Sequence, residues 1–379
     1  MSQVKEVDFV VIGAGIAGAA AAANLAARGS VLLFEAEDQP GYHSTGRSAA
    51  LFSEIYGNAV IRRLTRASRS FLFKPPAGFA PTPLVTPRET MFFGTPEQVD
   101  LLARMRQDPD VAEATVLLSP EQARERVPAF LPDYLGGAVL ETGSADIDVD
   151  ALHQGFLRQA RALGAELVTR ARIEALARID GRWHLSTATD RYSAPVVVNA
   201  AGAWGDEVAR SAGVTPLGLQ PKRRTAALVN VPGNLDATRW PASISIDEAF
   251  YFKPDAGLML ISPADETDSP PCDAQPEELD VAIAVDRFET ATGAQVRRVL
   301  NSWAGLRVFS PDRTPVAGFD PDAEGFFWLV GQGGYGIQTA VALGRLAAAL
   351  CADGRLPQDL IDMGLEAQML APSRLRQPH

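Results

Sequence analysis

Glycines at 13, 15 and 18 follow directly on the apolar run Val10-Val11-Ile12, and Glu35 closes the next apolar stretch, Ser30 to Glu35. A G-x-G-x-x-G spacing between a strand and a helix suits a dinucleotide: Gly13 permits a tight turn, Gly15 admits a pyrophosphate to the backbone, and Gly18 lets the helix pack closely. The helix start, at Ile16 and Ala17, leaves unpaired N–H groups and a positive dipole end for the phosphates. Glu35, followed by Ala36, is placed to accept ribose hydroxyls and would repel a 2′-phosphate. A second glycine-rich turn, Gly333-Gly334-Tyr335-Gly336, precedes the apolar stretch Ile337 to Ala352, in which Gln338 is an early polar member. It offers another helix N-terminus to negative charge.

These groups need elements to hold them. The spacing predicts a first βαβ unit, then a polar loop from Gln39 to Ala50 that carries Ser44, Thr45, Arg47, Ser48 and Ala49 and is suited to wrapping a ligand. A proline-rich run over 75–87 marks a crossing between domains, and Glu89 to Phe93 reads as a strand. Ser119-Pro120-Glu121-Gln122 is a capping box. A helix is expected from Asp150 to a stop at Gly164, then a strand from Glu166 to Thr169. Ile173 to Ile179 and Trp183 to Thr187 flank Asp180-Gly181, a hairpin signal. Val196-Val197-Val198-Asn199-Ala200-Ala201-Gly202 repeats the strand-to-glycine pattern of the N-terminus, with a helix expected from Trp204 to Ala212. Residues 223–261 read as an antiparallel sheet, and a helix is expected from Pro276 to Thr290.

Composition narrows the function class. The chain has 379 residues, enough for two domains. A formal net charge of −11 would repel a polyanion, which argues against nucleic acid. The four histidines, His43, His153, His184 and His379, do not pair at ligand spacing, so no metal is expected. Cys272 and Cys351 are far apart. Residues 9–27 are nearly all apolar, yet Lys5 is offset by Glu6 and Asp8 and three glycines interrupt the run, so neither a signal peptide nor a transmembrane segment is expected. The expected location is the cytoplasm, or a peripheral place on the inner membrane.

The combination of V-V-I-G-A-G-I-A-G, the Ser44 to Ala49 loop, V-V-N-A-A-G-A-W, and W-A-G-L-R followed by G-Q-G-G-Y-G-I-Q-T resembles the FAD-dependent amine oxidoreductases of the D-amino-acid oxidase superfamily. Within it, D-I-D-x-D-A-L-H-Q-G, L-G-L-Q-P-K-R-R and F-Y-x-K-P-D-A-G look most similar to bacterial D-arginine dehydrogenases. The resemblance implies an α/β plus α+β two-domain flavoprotein, a Rossmann-like FAD-binding domain with an inserted antiparallel-sheet substrate domain. We place the first in residues 1–80, 140–215 and 300–379 and the second in 81–139 and 216–299. It implies FAD held by the two glycine turns, the 44–49 loop, Ile173, Ala200, Gly202, Trp204 and Gly305. No cysteine follows the covalent-flavin pattern, so the FAD is expected to be non-covalent.

The resemblance also implies a reaction: hydride moves from the substrate Cα to flavin, and the imine hydrolyses to a 2-oxo acid and ammonia. Arg307 and Arg224 match the residues that bind the substrate carboxylate, a task to which the planar guanidinium fork is suited. Tyr251 and Tyr56 match tyrosines at the substrate, and Gly334 a close backbone approach. Thr90 stands where relatives selective for D-arginine carry a glutamate, and Leu51 where they carry a histidine. An apolar or neutral D-amino acid is therefore the expected substrate. Two other readings remain: a flavin oxidase of secondary amines such as sarcosine, proline or N-methyl amino acids, and a non-catalytic flavin-binding subunit. The residues leave open whether oxygen, a quinone or another protein reoxidises the flavin.

Overall fold

The computed structural model describes residues 4–233 and 235–376, and His379 lies outside them. Five apolar strands, Glu166–Val168, Val31–Phe34, Phe9–Ile12, Val196–Asn199 and Phe326–Val330, pair in parallel in that order, and Val316–Phe319 closes one edge antiparallel. Phe9–Ile12, Val31–Phe34 and Phe326–Val330 are buried at every position because the sheet is covered on both faces. Val11, Leu33, Val198 and Phe327 face the helices Ile16–Leu25, Val149–Ala162 and Gly336–Asp353. Val10, Ile12, Leu32 and Val197 alternate to the other face, against Leu176, Trp183 and Leu185. Those three belong to a small sheet that includes the hairpin Ala175–Ile179 and Arg182–Ser186, whose turn residues Asp180 and Gly181 have φ of 48° and 80°.

The helix Ile16–Leu25 is alanine-rich and buried from Ala19 through Ala23. Small side chains are required there because the last helix presses on it: a Cβ on Gly344 would stand 2.7 Å from the Cβ of Ala20. This packing fixes both glycine turns relative to each other.

The second large sheet has ten strands. Its order is Gln332–Gly333, Asn301–Phe309, Gln220–Val229, Leu258–Ser262, Tyr251–Asp255, Ala242–Ser245, Thr90–Gly94, Gly137–Glu141 and Thr115–Leu118, with Thr267–Asp268 also paired to Gln220–Val229. Neighbours are antiparallel except Ala242–Ser245 with Thr90–Gly94. Phe93, Phe252, Ala227 and Ile261 bury one face against Phe288 of the helix Glu278–Thr292. Alternation sends Arg224, Tyr251, Gly305, Arg307 and Thr90 to the opposite face, toward the parallel sheet.

Several expected boundaries move. The strand placed at Glu89 starts at Thr90 and ends at Gly94. The helix placed at Trp204 begins as a 3₁₀ turn, Gly202–Trp204, and continues as Gly205–Ser211. The helix placed at Pro276 runs Glu278–Thr292 and stops at Gly293, whose φ is 66°. Gly137–Glu141 and Asn301–Phe309 both belong to the large second sheet, so the chain crosses later than residues 140 and 300 on each return. Nine cross-strand pairs from Gln220 to Leu228 hold the second of these strands in place, and such long-range pairing leaves no mark on local composition.

Candidate active site

A cleft of about 550 Å³ runs from the first glycine turn, past Glu35 and the 41–49 loop, to the strand Asn301–Phe309 and the last glycine turn. At the first turn Gly13 has φ 100°, and a Cβ there would lie 2.5 Å from the carbonyl oxygen of Ala200. The Thr45 hydroxyl accepts the Ile16 N–H at 3.0 Å and so caps the helix. The Glu35 carboxylate accepts the N–H groups of Ala14 at 3.1 Å and Glu37 at 3.0 Å. Buried His153 donates from Nε2 to the Ala14 carbonyl at 2.8 Å. Burial holds its pKa below the usual value, so the ring braces the turn in its neutral form.

The loop that follows joins the two sheets. Ser44 donates to the Leu306 carbonyl at 2.6 Å. Arg47 lines the cleft, while its guanidinium donates to the carbonyls of Ala274 at 2.8 Å and Ala304 at 3.0 Å and pairs with Asp273. Its role in the structure is therefore partly that of a tie between sheets. His43 leans on Trp204 with ring centroids 4.6 Å apart and bonds Glu37 through Nε2 at 2.9 Å. In the neutral ring that leaves Nδ1 a bare acceptor on the cleft wall, without a partner among the described residues. Near the opposite end the Gln332 amide nitrogen is likewise a buried donor without a partner. Buried polar groups of this kind call for a ligand that is polar at both ends. The cleft thus fits a dinucleotide whose ribose carries no 2′-phosphate.

The far end of the cleft is cationic. Arg224 stands opposite Gly305 and Lys222 opposite Arg307 in the paired strands, so both arginines share the inner face. Nη1 of Arg307 donates to the Tyr56 hydroxyl at 3.4 Å, and the rings of Tyr56 and Tyr335 lie 4.8 Å apart. Arg224 donates from Nε to the Asp265 carbonyl at 2.8 Å and from Nη2 to Glu266 at 3.3 Å. Burial, then the like charge of Arg307, pulls the Arg224 pKa below its usual value, though a guanidinium remains a cation. Burial, then Tyr56 and Glu248, pushes the Tyr335 phenol up and keeps it neutral. Two guanidiniums and the Tyr56 phenol beside the Gly334 backbone have the donors to bind one planar anion.

Of the residues singled out for the cofactor, all line this cleft except Gly18, Tyr335 and Gln338. Gly18 packs on the turn itself, where a Cβ would meet the Gly13 carbonyl oxygen at 1.8 Å. Gln338 is buried and braces the last helix by accepting the Ser53 N–H at 3.1 Å and donating to Thr65 at 2.9 Å. Arg224, Tyr251 and Arg307 line the cleft, and Tyr56 reaches it through Arg307. Thr90 departs from expectation: it is fully buried, its hydroxyl has no partner among the described residues, and it does not line the cleft. Thr90 keeps its inward direction, but that side of the sheet is filled by Glu141 of the paired strand, which is bound to Ser53 and Glu54. Glu89 points away and pairs with Arg126 at 2.7 Å.

Sequence reasoning passed over His43, Gln332, Glu266 and Arg313. Gln332 sits inside the glycine motif and was within reach of it. Glu266 and Arg313 come from separate loops and carry no local signal.

The profile of the family described as FAD dependent oxidoreductase matches residues 8–350. Human mitochondrial dimethylglycine dehydrogenase is 24% identical over 389 residues, covering 94% of this chain and 44% of that protein, so the chain spans less than half the length of this relative. Among solved structures, the L-proline dehydrogenase of P. horikoshii superposes with a TM-score of 0.85 at 21% identity, covering 99% of each chain. The glycine oxidase of Geobacillus kaustophilus superposes with a TM-score of 0.81 at 20% identity, covering 93% of this chain and 96% of its own. At such identities the likeness is one of fold. By their names these three act on dimethylglycine, L-proline and glycine rather than on D-arginine.

Proposed function

The chain belongs to the FAD-dependent oxidoreductase family, and on that premise we propose that it oxidises an α-amino acid bound by its carboxylate to Arg307 and Arg224. The observation that carries this reading is the pairing of Arg224 opposite Gly305 beside Arg307 on one sheet face, at the end of the cleft where the last glycine turn arrives. A fork at Arg307, with the hydroxyls of Tyr56 and Tyr251, orients a carboxylate and thereby fixes where the Cα–H points. Bound FAD supplies a two-electron acceptor for the hydride leaving Cα. The Gly13 to Gly18 turn would hold its pyrophosphate, Glu35 its ribose, and the N-terminus of the helix Gly336–Asp353 the electron-rich end.

A protein base is not required if the substrate binds with its amine neutral, and the rate then rises with pH through an ionisation of the substrate amine. The preference for a D-amino acid with an apolar or neutral side chain rests on the resemblance alone, because Thr90 does not line the cleft. The resemblance to D-arginine dehydrogenases supplies the stereochemistry. A second reading keeps the same arginines and takes a secondary amine such as sarcosine or proline, and the names of the relatives favour it equally. Anaerobic bleaching of the flavin by matched D-amino acids, L-amino acids and N-methylglycines separates the two. Bleaching by D-leucine or D-methionine but not by sarcosine or proline supports the first. A flavin that no carboxylated amine reduces would overturn both and leave a non-catalytic flavin-binding subunit.

A further inference from the structure

We propose that Glu266 sets the charge class of the substrate by filling, with the protein's own carboxylate, a second anion place between Arg224 and Arg313. The inference rests on the carboxylate-binding reading of Arg307 and Arg224. Oε1 of Glu266 accepts from Arg224 Nη2 at 3.3 Å and from Arg313 Nη2 at 2.9 Å, and Oε2 accepts from Arg313 Nη1 at 3.0 Å. Arg313 therefore grips the carboxylate with both arms of its fork, the strong bidentate geometry. Its guanidinium carbon in turn lies 3.9 Å from the centroid of the Phe309 ring.

The loop is anchored from the other side as well. The side chain of Asp265 accepts the Thr225 N–H at 2.6 Å and the Thr225 hydroxyl at 3.0 Å, while its carbonyl accepts Arg224 Nε. Glu266 does not itself line the cleft, but it is held against Arg224 at the cleft wall rather than resting in passing contact. Burial opposes its charge, but Arg313, then Arg224 and Arg307, hold the carboxyl below its usual range, so it is an anion at neutral pH.

The two arginines at the cleft consequently differ. Among the described residues the Arg307 guanidinium hydrogen-bonds only Tyr56, and its fork is open to a ligand. Arg224 has already given Nε to a carbonyl and part of Nη2 to Glu266. A ligand with one carboxylate finds Arg307 and the remaining arm of Arg224. A ligand with a second carboxylate meets Glu266 where that group would bind, which adds like-charge repulsion to the loss of a partner. The substrate class that follows is monocarboxylate, with dicarboxylic amino acids and N-carboxymethyl amino acids, which carry a second carboxylate, excluded.

The test compares butyrate with succinate, which match in length and differ in one carboxylate, as non-oxidisable ligands of the FAD-loaded protein, read by the change in the flavin spectrum at pH 7.5. Wild type is expected to bind butyrate more tightly than succinate. Glu266→Ala vacates both the charge and the space, and should raise the succinate-to-butyrate affinity ratio at least about tenfold with butyrate affinity changed by less than about threefold. Glu266→Gln removes the charge and keeps the shape, and should raise the ratio by about threefold or more, so it decides the matter should the alanine variant lose FAD. A general loosening of the loop would weaken both ligands together and leave the ratio unmoved. An unchanged ratio in both variants would overturn the proposal. A wild-type flavin spectrum that responds to neither acid would instead overturn the carboxylate site itself.

Discussion

The backbone of Gly334 lies against the guanidinium of Arg307 so closely that a Cβ at Gly334 would stand 2.7 Å from Nη1 and 2.8 Å from Cζ. The last glycine turn and the strand that carries Arg307 therefore meet at van der Waals contact, and the arginine has its orientation because residue 334 has no side chain. Gly334→Ala pushes on the free end of a flexible side chain, so folding should survive while the fork tilts. Affinity for butyrate should fall about tenfold, equivalent to about 1.4 kcal/mol, with the thermal midpoint nearly unchanged. Equal affinity in the variant would show that Arg307 does not hold the carboxylate.

Removing the arginines themselves should separate their shares. Arg307→Met loses the open fork and should lower kcat/KM by about 2–4 kcal/mol in transition-state terms, whereas the bound flavin's spectrum should be largely spared. Arg224→Met should cost less at the ligand, because that guanidinium is already partly committed to Asp265 and Glu266. It also leaves Glu266 with Arg313 alone. A larger loss at Arg224 than at Arg307 would reverse the assignment of the open fork.

Glu141 makes stability depend on pH. Its carboxyl is buried, accepts the Ser53 hydroxyl at 2.6 Å and the Glu54 N–H at 2.8 Å, and burial pushes its pKa from 4.5 to about 7. The folded state therefore keeps a proton that the unfolded chain releases above about pH 4.5. That contribution is full at lower pH and is lost as pH rises through about 7. Glu141→Gln should match wild type below about pH 4 and exceed it by on the order of 3 kcal/mol near pH 8.5 in urea unfolding. A pH-independent difference would place the titration elsewhere.

Thr90 holds a hydroxyl with no partner among the described residues on a side chain that is fully buried. Thr90→Val keeps the shape and removes the unsatisfied group, and should stabilise the protein by about 1 kcal/mol. Thr90→Glu would set a second carboxyl across from Glu141 in the paired strands, and should destabilise by several kcal/mol instead of creating a site for D-arginine. Faster turnover of D-arginine in a stable Thr90→Glu protein would return Thr90 to the pocket wall.

Non-covalent FAD has a direct check: the purified protein should be yellow, and acid precipitation should release all of the colour as FAD. Gly13→Ala should bleach it, since the new methyl would lie 2.5 Å from the Ala200 carbonyl oxygen at a φ of 100°. Colour that stays with the precipitate would mean a covalent link.

What the sequence determined by itself was everything encoded by neighbours along the chain. The strand, glycine turn, helix and acid from Phe9 to Glu35, the hairpin at Asp180-Gly181 and the second glycine turn at 333–336 are local rules of backbone sterics and exposed N–H groups, and they place the ends of the cleft before any folding is considered. The W-A-G-L-R motif marked Arg307 in the same way. Only the tertiary structure decided what stands opposite these groups. Arg224 meets Gly305 through nine cross-strand pairs, Glu266 reaches Arg313 across 47 residues, and Glu141 fills the place beside Thr90 from the neighbouring strand. Alternation along the strand put Thr90 on the inner face as expected, but whether that face is open to the cleft depends on Glu141 of the neighbouring strand, which no local pattern shows. Charge partners behave similarly, because the energy of an ion pair depends on distance and burial, and neither is a property of a single stretch of chain.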